Sequence, residues 1–249
     1  MIDMIKAIWF QESRILSRNF FAEVLGPISL GIIFFFVFSL PFRASLSKIE
    51  WDMFALQLIF HTSIFTFIFT TFIRVSSFYW RTQYGDSSFH LLILGGKGTN
   101  FNIFLAETLI ALFFGSLYAS ITFFILVQFV SSISSHIHFP SVILFWVLIG
   151  FQFSAFGKIV GSVIKDQSGK WSVMFLGIMP VLLLSGIFMQ NVPSVPINVE
   201  FILPFNLIYG ITKGYILGQI EYSVLLYSMV ETLFIVWVAS SIIALKARK

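Results

Sequence analysis

The sequence predicts an all-α membrane protein with six transmembrane helices. An interfacial helix precedes the first span, a short cytoplasmic helix lies between spans two and three, and re-entrant half-helices lie between spans five and six. Three observations predict this. Of the 249 residues, 58% are hydrophobic and only 10% charged, with a mean hydropathy of +0.95, against the roughly 25% charged residues of a soluble domain. The apolar residues fall in runs able to cross about 30 Å of hydrocarbon, which takes about 20 residues of helix. The basic residues gather on one side of those runs.

Residues 1–21 come before the first run. On a helical wheel Asp3, Lys6, Arg14 and Arg18 share an arc of about 120°, with Ile2, Ile5, Ile8, Trp9, Ile15, Leu16 and Phe20 opposite. Such a helix lies in the membrane interface. Glu12 and Asn19 interrupt its apolar face, so that face is expected to meet protein as well as lipid. Arg14 and Arg18 are expected at the anionic cytoplasmic surface, each worth on the order of 1 kcal/mol there. The spans follow at 22–40, 53–73, 103–130, 141–164, 171–189 and 223–245, each bounded by charge, Pro, Gly or Ser-rich sequence. The third is long enough to tilt or to project from the membrane. The first is not expected to be a cleaved signal peptide, because acids and aromatics precede it and Pro41-Phe42-Arg43 follows it in place of a small-residue cleavage site.

Residues 74–100 form the cytoplasmic stretch between spans two and three. Its middle, 84–96, reads as a short helix with Asp86 or Ser87 as N-cap and Gly95 closing it. The outer loop 131–140 is short and Ser-rich. The segment 190–222 is outside by topology yet apolar, and Pro193, Pro196 and Pro204 punctuate it. That mixture suits half-helices dipping into the outer leaflet, which are tolerated where protein covers their backbone.

Orientation follows from the bases, which favour the cytoplasmic side. With the N-terminus inside, that side holds Lys6, Arg14, Arg18, Arg74, Arg81, Lys97, Lys165, Lys170, Lys246, Arg248 and Lys249, whereas the outside holds Arg43, Lys48 and Lys213, and Lys158 falls within a span. Both termini are therefore expected in the cytoplasm. The formal charge of +4 is a matter of topology, and a nucleic-acid partner has no separate support.

Few chemistries remain open. A chain without cysteine has no disulfide framework, zinc-thiolate site, thiol nucleophile or iron–sulfur cluster. No Walker A loop exists: Gly96-Lys97 is followed by Gly98, and Leu91 stands where the first glycine is needed. HExxH, GxSxG and dense carboxylate clusters are absent too, so the chain is not expected to be an enzyme. His136 and His138 fall short of the four ligands of a structural metal site, and a polar-loop role is favoured over metal or haem ligation. Ionisable residues inside spans carry more weight, since a central charge costs at least about 2.5–3.5 kcal/mol and must face protein or water. Glu231 lies near mid-membrane; it reads either as a packing hydrogen-bonder, with Gln152 or a serine as partner, or as a pathway or gating residue. Glu107 and Lys158 sit near the cytoplasmic ends of their spans, where snorkelling would relieve them. The many Phe residues, including Phe34-Phe35-Phe36 and Phe67, Phe69 and Phe72, read as lipid-facing and packing residues, with lining of a hydrophobic path as the alternative.

The order of these parts resembles the ABC-2 type permeases, the membrane subunits of type V ABC exporters. The similarity is carried by Arg81-Thr82-Gln83-Tyr84-Gly85-Asp86-Ser87-Ser88-Phe89-His90-Leu91-Leu92-Ile93-Leu94-Gly95-Gly96, by Pro180-Val181-Leu182-Leu183-Leu184-Ser185-Gly186-Ile187-Phe188, and by Pro204-Phe205-Asn206-Leu207-Ile208-Tyr209-Gly210 with Lys213-Gly214 after it. Arg81-Thr82-Gln83 stands where that family has an acidic pair. The N-terminal half also resembles the haem-exporter B subunits of cytochrome c maturation, through Glu12-Ser13-Arg14, Phe36-Val37-Phe38-Ser39 and Arg74 to Phe78 leading into Leu91 to Leu94.

The resemblance implies a dimeric exporter in the bacterial cytoplasmic membrane, built from this chain and a second copy or paralogue. ATP and Mg would sit on a separate ABC ATPase subunit, with no cofactor on this chain. The 84–96 helix becomes the coupling helix, with Gly85, Asp86, Phe89, His90, Leu91 and Leu92 as the ATPase-docking residues. Glu12, Arg14 and Arg18 mark the interfacial helix, and Glu231, Glu107, Gln152 and Lys158 are the pathway or gating candidates. The cargo class is amphipathic or hydrophobic: drug, peptide, lipid or lipid-linked glycan. The alternatives are a haem-exporter-B-like subunit and a non-transporting scaffold, followed by a channel and by a proton-driven carrier resting on Glu107 and Glu231.

Overall fold

The structure, a computed structural model, describes residues 2–43, 45–84, 100–129, 139–178, 180 and 222–246. Outside the described residues lie nearly all of the short helix expected at 84–96, most of the outer loop 131–140, the later part of the span 171–189 and nearly all of the re-entrant segment 190–222.

Every regular element among the described residues is helical. Helix α1 (Ile2–Arg18) runs through a widened π-helical turn, Phe21–Leu25, into α2 (Gly26–Arg43). The turn has a local cause in Pro27, which has no N–H to donate and whose ring would meet the carbonyl four residues back. Helices α3 (Lys48–Tyr84), α4 (Asn100–Val127) and α5 (Phe139–Val163) follow. The short α6 (Gln167–Ser172) starts at Asp166, whose carboxylate accepts from the Ser168 backbone N–H at 3.2 Å. A second π-helical stretch, Val173–Ile178, lies just before Pro180, again where a proline ring would crowd the turn. Helix α7 spans Tyr222–Lys246.

Four helices are long and apolar enough to cross a membrane among the described residues: Phe21–Arg43, Phe54–Thr82, Phe101–Val127 and Trp146–Val163. The apolar stretch Leu225–Ser241 in α7 is shorter. The protein is thus all-α in its described part and membrane-like in character.

The helix outruns the apolar stretch: hydropathy puts the second span at 53–73 with Arg74 opening the stretch after it, and α3 continues unbroken to Tyr84. No proline or glycine interrupts this part of the chain, and Arg74 and Arg81 are both ion-paired, so their charge does not end the helix.

Helix α3 is the hub. It packs against α2, α4, α5 and α6, and 89% of its span is buried, against 28% for the first span. Three of its buried hydroxyls bond within the helix: Thr62, Ser63 and Thr66 donate to the carbonyls of Leu58, Ile59 and Thr62 at 2.6, 2.9 and 3.0 Å. Small side chains let neighbouring backbones come close. Gly31 of α2 faces Thr66, Gly115 of α4 faces Thr71 and Phe67, and Gly157 and Gly161 of α5 face Phe72 and Ser76. A Cβ on Gly157 would stand 2.8 Å from the Phe72 carbonyl oxygen, and one on Gly161 would overlap the Ser76 backbone.

Aromatic side chains fill the space around this hub. Phe35, Phe65, Phe67, Phe72 and Phe153 are buried in one apolar core, and Ile8, Val75, Phe78, Phe104 and Ile235 in another along the later turns of α3. The opposite faces present Val37, Phe113, Phe124, Leu233 and Trp237 outward. Phe34 and Phe36 are half-buried.

Candidate functional site

Two arginines seven residues apart fall on one face of a helix, two turns from each other. On α3 these are Arg74 and Arg81, and both turn to Glu12 of α1. Glu12 Oε2 accepts from Arg74 Nη1 at 2.6 Å, and Oε1 accepts from Arg81 Nη2 at 2.6 Å, so one carboxylate bridges two guanidiniums. Glu12 and Arg74 are buried, and the Arg81 side chain is 26% exposed. Charge-assisted hydrogen bonds of this kind are the strong ones.

Helix α4 completes the setting of Arg74. Its Nη2 donates to the Tyr118 hydroxyl at 3.4 Å, and its guanidinium carbon lies 4.0 Å from the Phe114 ring centroid. Trp9 of α1 stacks on the same Phe114, with centroids 5.3 Å apart. Glu12, which interrupts the apolar face of α1, therefore joins that helix to α3, while Arg14 and Arg18 are exposed.

Glu107 lies on the face of α4 that carries Phe114 and Tyr118, at i, i+7 and i+11. It is fully buried and within electrostatic range of Glu12, Arg81 and Arg74. Neither of its oxygens has a hydrogen-bond partner among the described residues. Lys158 of α5 is equally buried; its Nζ lies 4.7 Å from the Phe104 ring centroid and 5.3 Å from that of Tyr79. Aromatic faces attract a cation, and no acceptor reaches this one among the described residues. Snorkelling, expected for Glu107 and Lys158, does not occur. The continuation of α3 through Tyr79 to Tyr84 puts protein where the hydropathy boundary implied a membrane edge.

At the start of α6, Lys170 is also buried. Its Nζ donates to Ser77 Oγ at 3.3 Å and lies 4.9 Å from the Trp80 ring centroid. Burial, with the Arg81 guanidinium adding to it and Glu23 opposing, pulls its pKa down to about 8. Trp80 Nε1 donates to the Lys165 carbonyl at 2.7 Å, tying the end of α3 to the α5–α6 connection.

Further along the bundle, Gln152 Nε2 donates to Thr232 Oγ1 at 3.2 Å, and Thr232 donates to the Ser228 carbonyl at 2.7 Å. Gln152 thus reaches the residue next to Glu231. Glu231 is buried with Tyr227 as its hydrogen-bonding neighbour, and Gln152 Oε1 and Ser228 Oγ lack a partner of hydrogen-bonding geometry among the described residues. Glu231→Gln supplies a donor there, so its melting temperature is expected to match or exceed that of the wild type. A fall of more than about 4 °C, the size of roughly 1 kcal/mol in a chain this long, would show that the carboxylate itself is required.

Gly85, Asp86, Phe89, His90, Leu91 and Leu92 lie outside the described residues, as do His136 and His138. Among the described residues, no group of three or more His, Asp or Glu side chains gathers as metal ligands. What the cluster around Arg74 does is electrostatic: it joins α1, α3 and α4 through charges inside the bundle. Sequence reasoning singled out Glu12 but not its partners. The usable signal was the breaker-free run from Arg74 to Arg81 with heptad spacing, which continues a helical face. Gly157 and Gly161, four apart in an apolar run, were likewise readable as a close-packing pair. Compared with protein-family models, curated proteins and solved structures, the chain matches none.

Proposed function

We propose that the chain is the transmembrane permease subunit of an ATP-driven exporter of the ABC-2 type. In this reading it works with a separate ATPase subunit and a second permease, and moves an amphipathic or hydrophobic cargo outward. The observation that carries the reading is the continuity of α3. This helix is buried along its span, gripped by its neighbours, and runs on to Tyr84, the residue before the proposed docking segment 85–94. A push on that segment would reach the bundle core as a rigid-body movement, and the Glu12 bridge would carry it into the interfacial helix.

Phe89, Leu91 and Leu92 are the apolar anchors in this reading, and the chain lacks a phosphate-binding loop of its own. The double substitution Phe89→Asp and Leu92→Asp is expected to abolish co-purification of the ATPase while leaving the melting temperature of the permease unchanged. Retained association would refute the docking assignment. If the wild-type chain co-purifies with no ATPase from its native membrane, the permease reading itself falls.

A further inference from the structure

We propose that the buried junction of α3, α4 and α5 is a binding site for a small monovalent anion of the chloride class. The Lys158 ammonium and the hydroxyls of Tyr79, Thr108 and Ser154 hold it.

The packing register brings these groups together. Along the α4–α5 contact, Trp146 Nε1 donates to Ser116 Oγ at 3.2 Å, a Cβ on Gly150 would meet the Leu112 side chain, and Lys158 Nζ lies 4.7 Å from the Phe104 ring centroid. Each step of four residues up α5 is matched by a step of four down α4, as in antiparallel helices that meet along one stripe of each. Ser154 and Thr108 are the rung between Gly150 with Leu112 and Lys158 with Phe104, so they fall on facing stripes, one turn from Lys158. Tyr79 closes the group from α3, its ring centroid 5.3 Å from Lys158 Nζ.

All four side chains are buried: Thr108, Ser154 and Lys158 are 0% exposed and Tyr79 is 6% exposed. Neither the three hydroxyls nor the ammonium has a hydrogen-bond partner among the described residues. Each such group calls for an explanation, and here four of them share one place.

Their chemistry selects the ligand. An ammonium only donates and each hydroxyl has one proton to give, so the group can turn all its donors on a single acceptor. Its one formal charge is positive, which repels a metal ion and attracts an anion. No carboxylate among the described residues bonds Lys158. Glu107 stands about 80° round α4 from the stripe of Phe104 and Thr108, on the face of Phe114 and Tyr118. A cation left unpaired inside a bundle is strongly unfavourable, and the two rings beside it offset only part of that cost. A phosphate or carboxylate ligand would have to part helices that Gly150, Gly157 and Gly161 hold in close contact, whereas a bare halide is compact. The site is a property of the bundle and does not depend on what the chain transports.

Melting of the full chain in lipid nanodiscs, at constant ionic strength in sodium chloride, bromide or gluconate, tests this. Chloride at ten times its Kd is expected to raise the melting temperature of the wild type above that in gluconate by about 4 °C, and bromide to do the same. Lys158→Met should abolish the shift. Ser154→Ala and Thr108→Val, which each remove one donor to a charged ligand, should each weaken the apparent chloride affinity about tenfold. A wild type that melts alike in chloride and gluconate overturns the proposal. So does a shift that all three variants retain at wild-type affinity, because the halide would then bind elsewhere. Should Lys158→Met not fold, the two hydroxyl variants decide the matter.

Discussion

Arg74→Leu is expected to cost the bundle about 3–5 kcal/mol, the loss that follows when one member of a buried ion pair is removed. At roughly 2–4 °C per kcal/mol for a chain of this length, the melting temperature should fall by about 10 °C. Glu12 would keep only Arg81, and its Oε2 would be left in the interior without a donor. The Tyr118 hydroxyl and the Phe114 face would lose their cation as well. Arg74→Lys restores the charge but not the planar fork that serves Glu12 and Tyr118 together, so it should fall between wild type and Leu. Adding Glu12→Leu to Arg74→Leu removes the stranded carboxylate and should recover most of the lost stability. Arg74→Leu melting with the wild type would show that the bridge contributes nothing to the fold.

The second large effect is expected at Gly161. Gly161→Val would drive two γ-methyl groups and a Cβ into the Ser76 backbone. Neither backbone can yield without separating α3 from α5, so the cost should reach or exceed the upper end of the 1–3 kcal/mol usual for overpacking, about 3 kcal/mol. Gly157→Ala, whose Cβ would stand 2.8 Å from the Phe72 carbonyl oxygen, should be milder. Gly177→Ala is the control, because nothing among the described residues lies within 4 Å of a Cβ there; its melting should not change. If Gly161→Val and Gly177→Ala melt alike, the two backbones are not in contact at Ser76.

Long apolar runs made much of the helical layout legible. The runs 22–40, 103–130 and 141–164 each fall on a helix, with ends displaced by a few residues. Hydropathy places the end of the second apolar run before Arg74, whereas the helix itself runs on through that charge to Tyr84. The residue that neutralises it, Glu12, is 62 positions away, and no window along the chain can see that far. The same blindness turned Glu107 and Lys158 into snorkelling residues, because their surroundings depend on how far α3 extends. Glu12 could be singled out because it breaks the apolar face of a helix, which is a local pattern. Its partners could not be named, because pairing is a tertiary property. Gln152, read with a serine as the alternative partner for Glu231, donates to Thr232, one position on, because sequence position sets the level of a side chain but not its direction.

The central position of α3 bears on how the protein is made. As a newly synthesised segment it offers the bilayer, besides its apolar run, two arginines, a histidine and a series of serines and threonines, polar groups that raise the cost of leaving it in lipid alone. Glu12 and Gly31 have already left the ribosome when α3 emerges, but Gly115, Gly157 and Gly161 have not. The helix is therefore born with its countercharge and without most of its packing surface. Its lasting integration waits on α4 and α5, and a chain truncated after Tyr84 should be retained by the insertion machinery, whereas one truncated after Val163 should be released into the membrane.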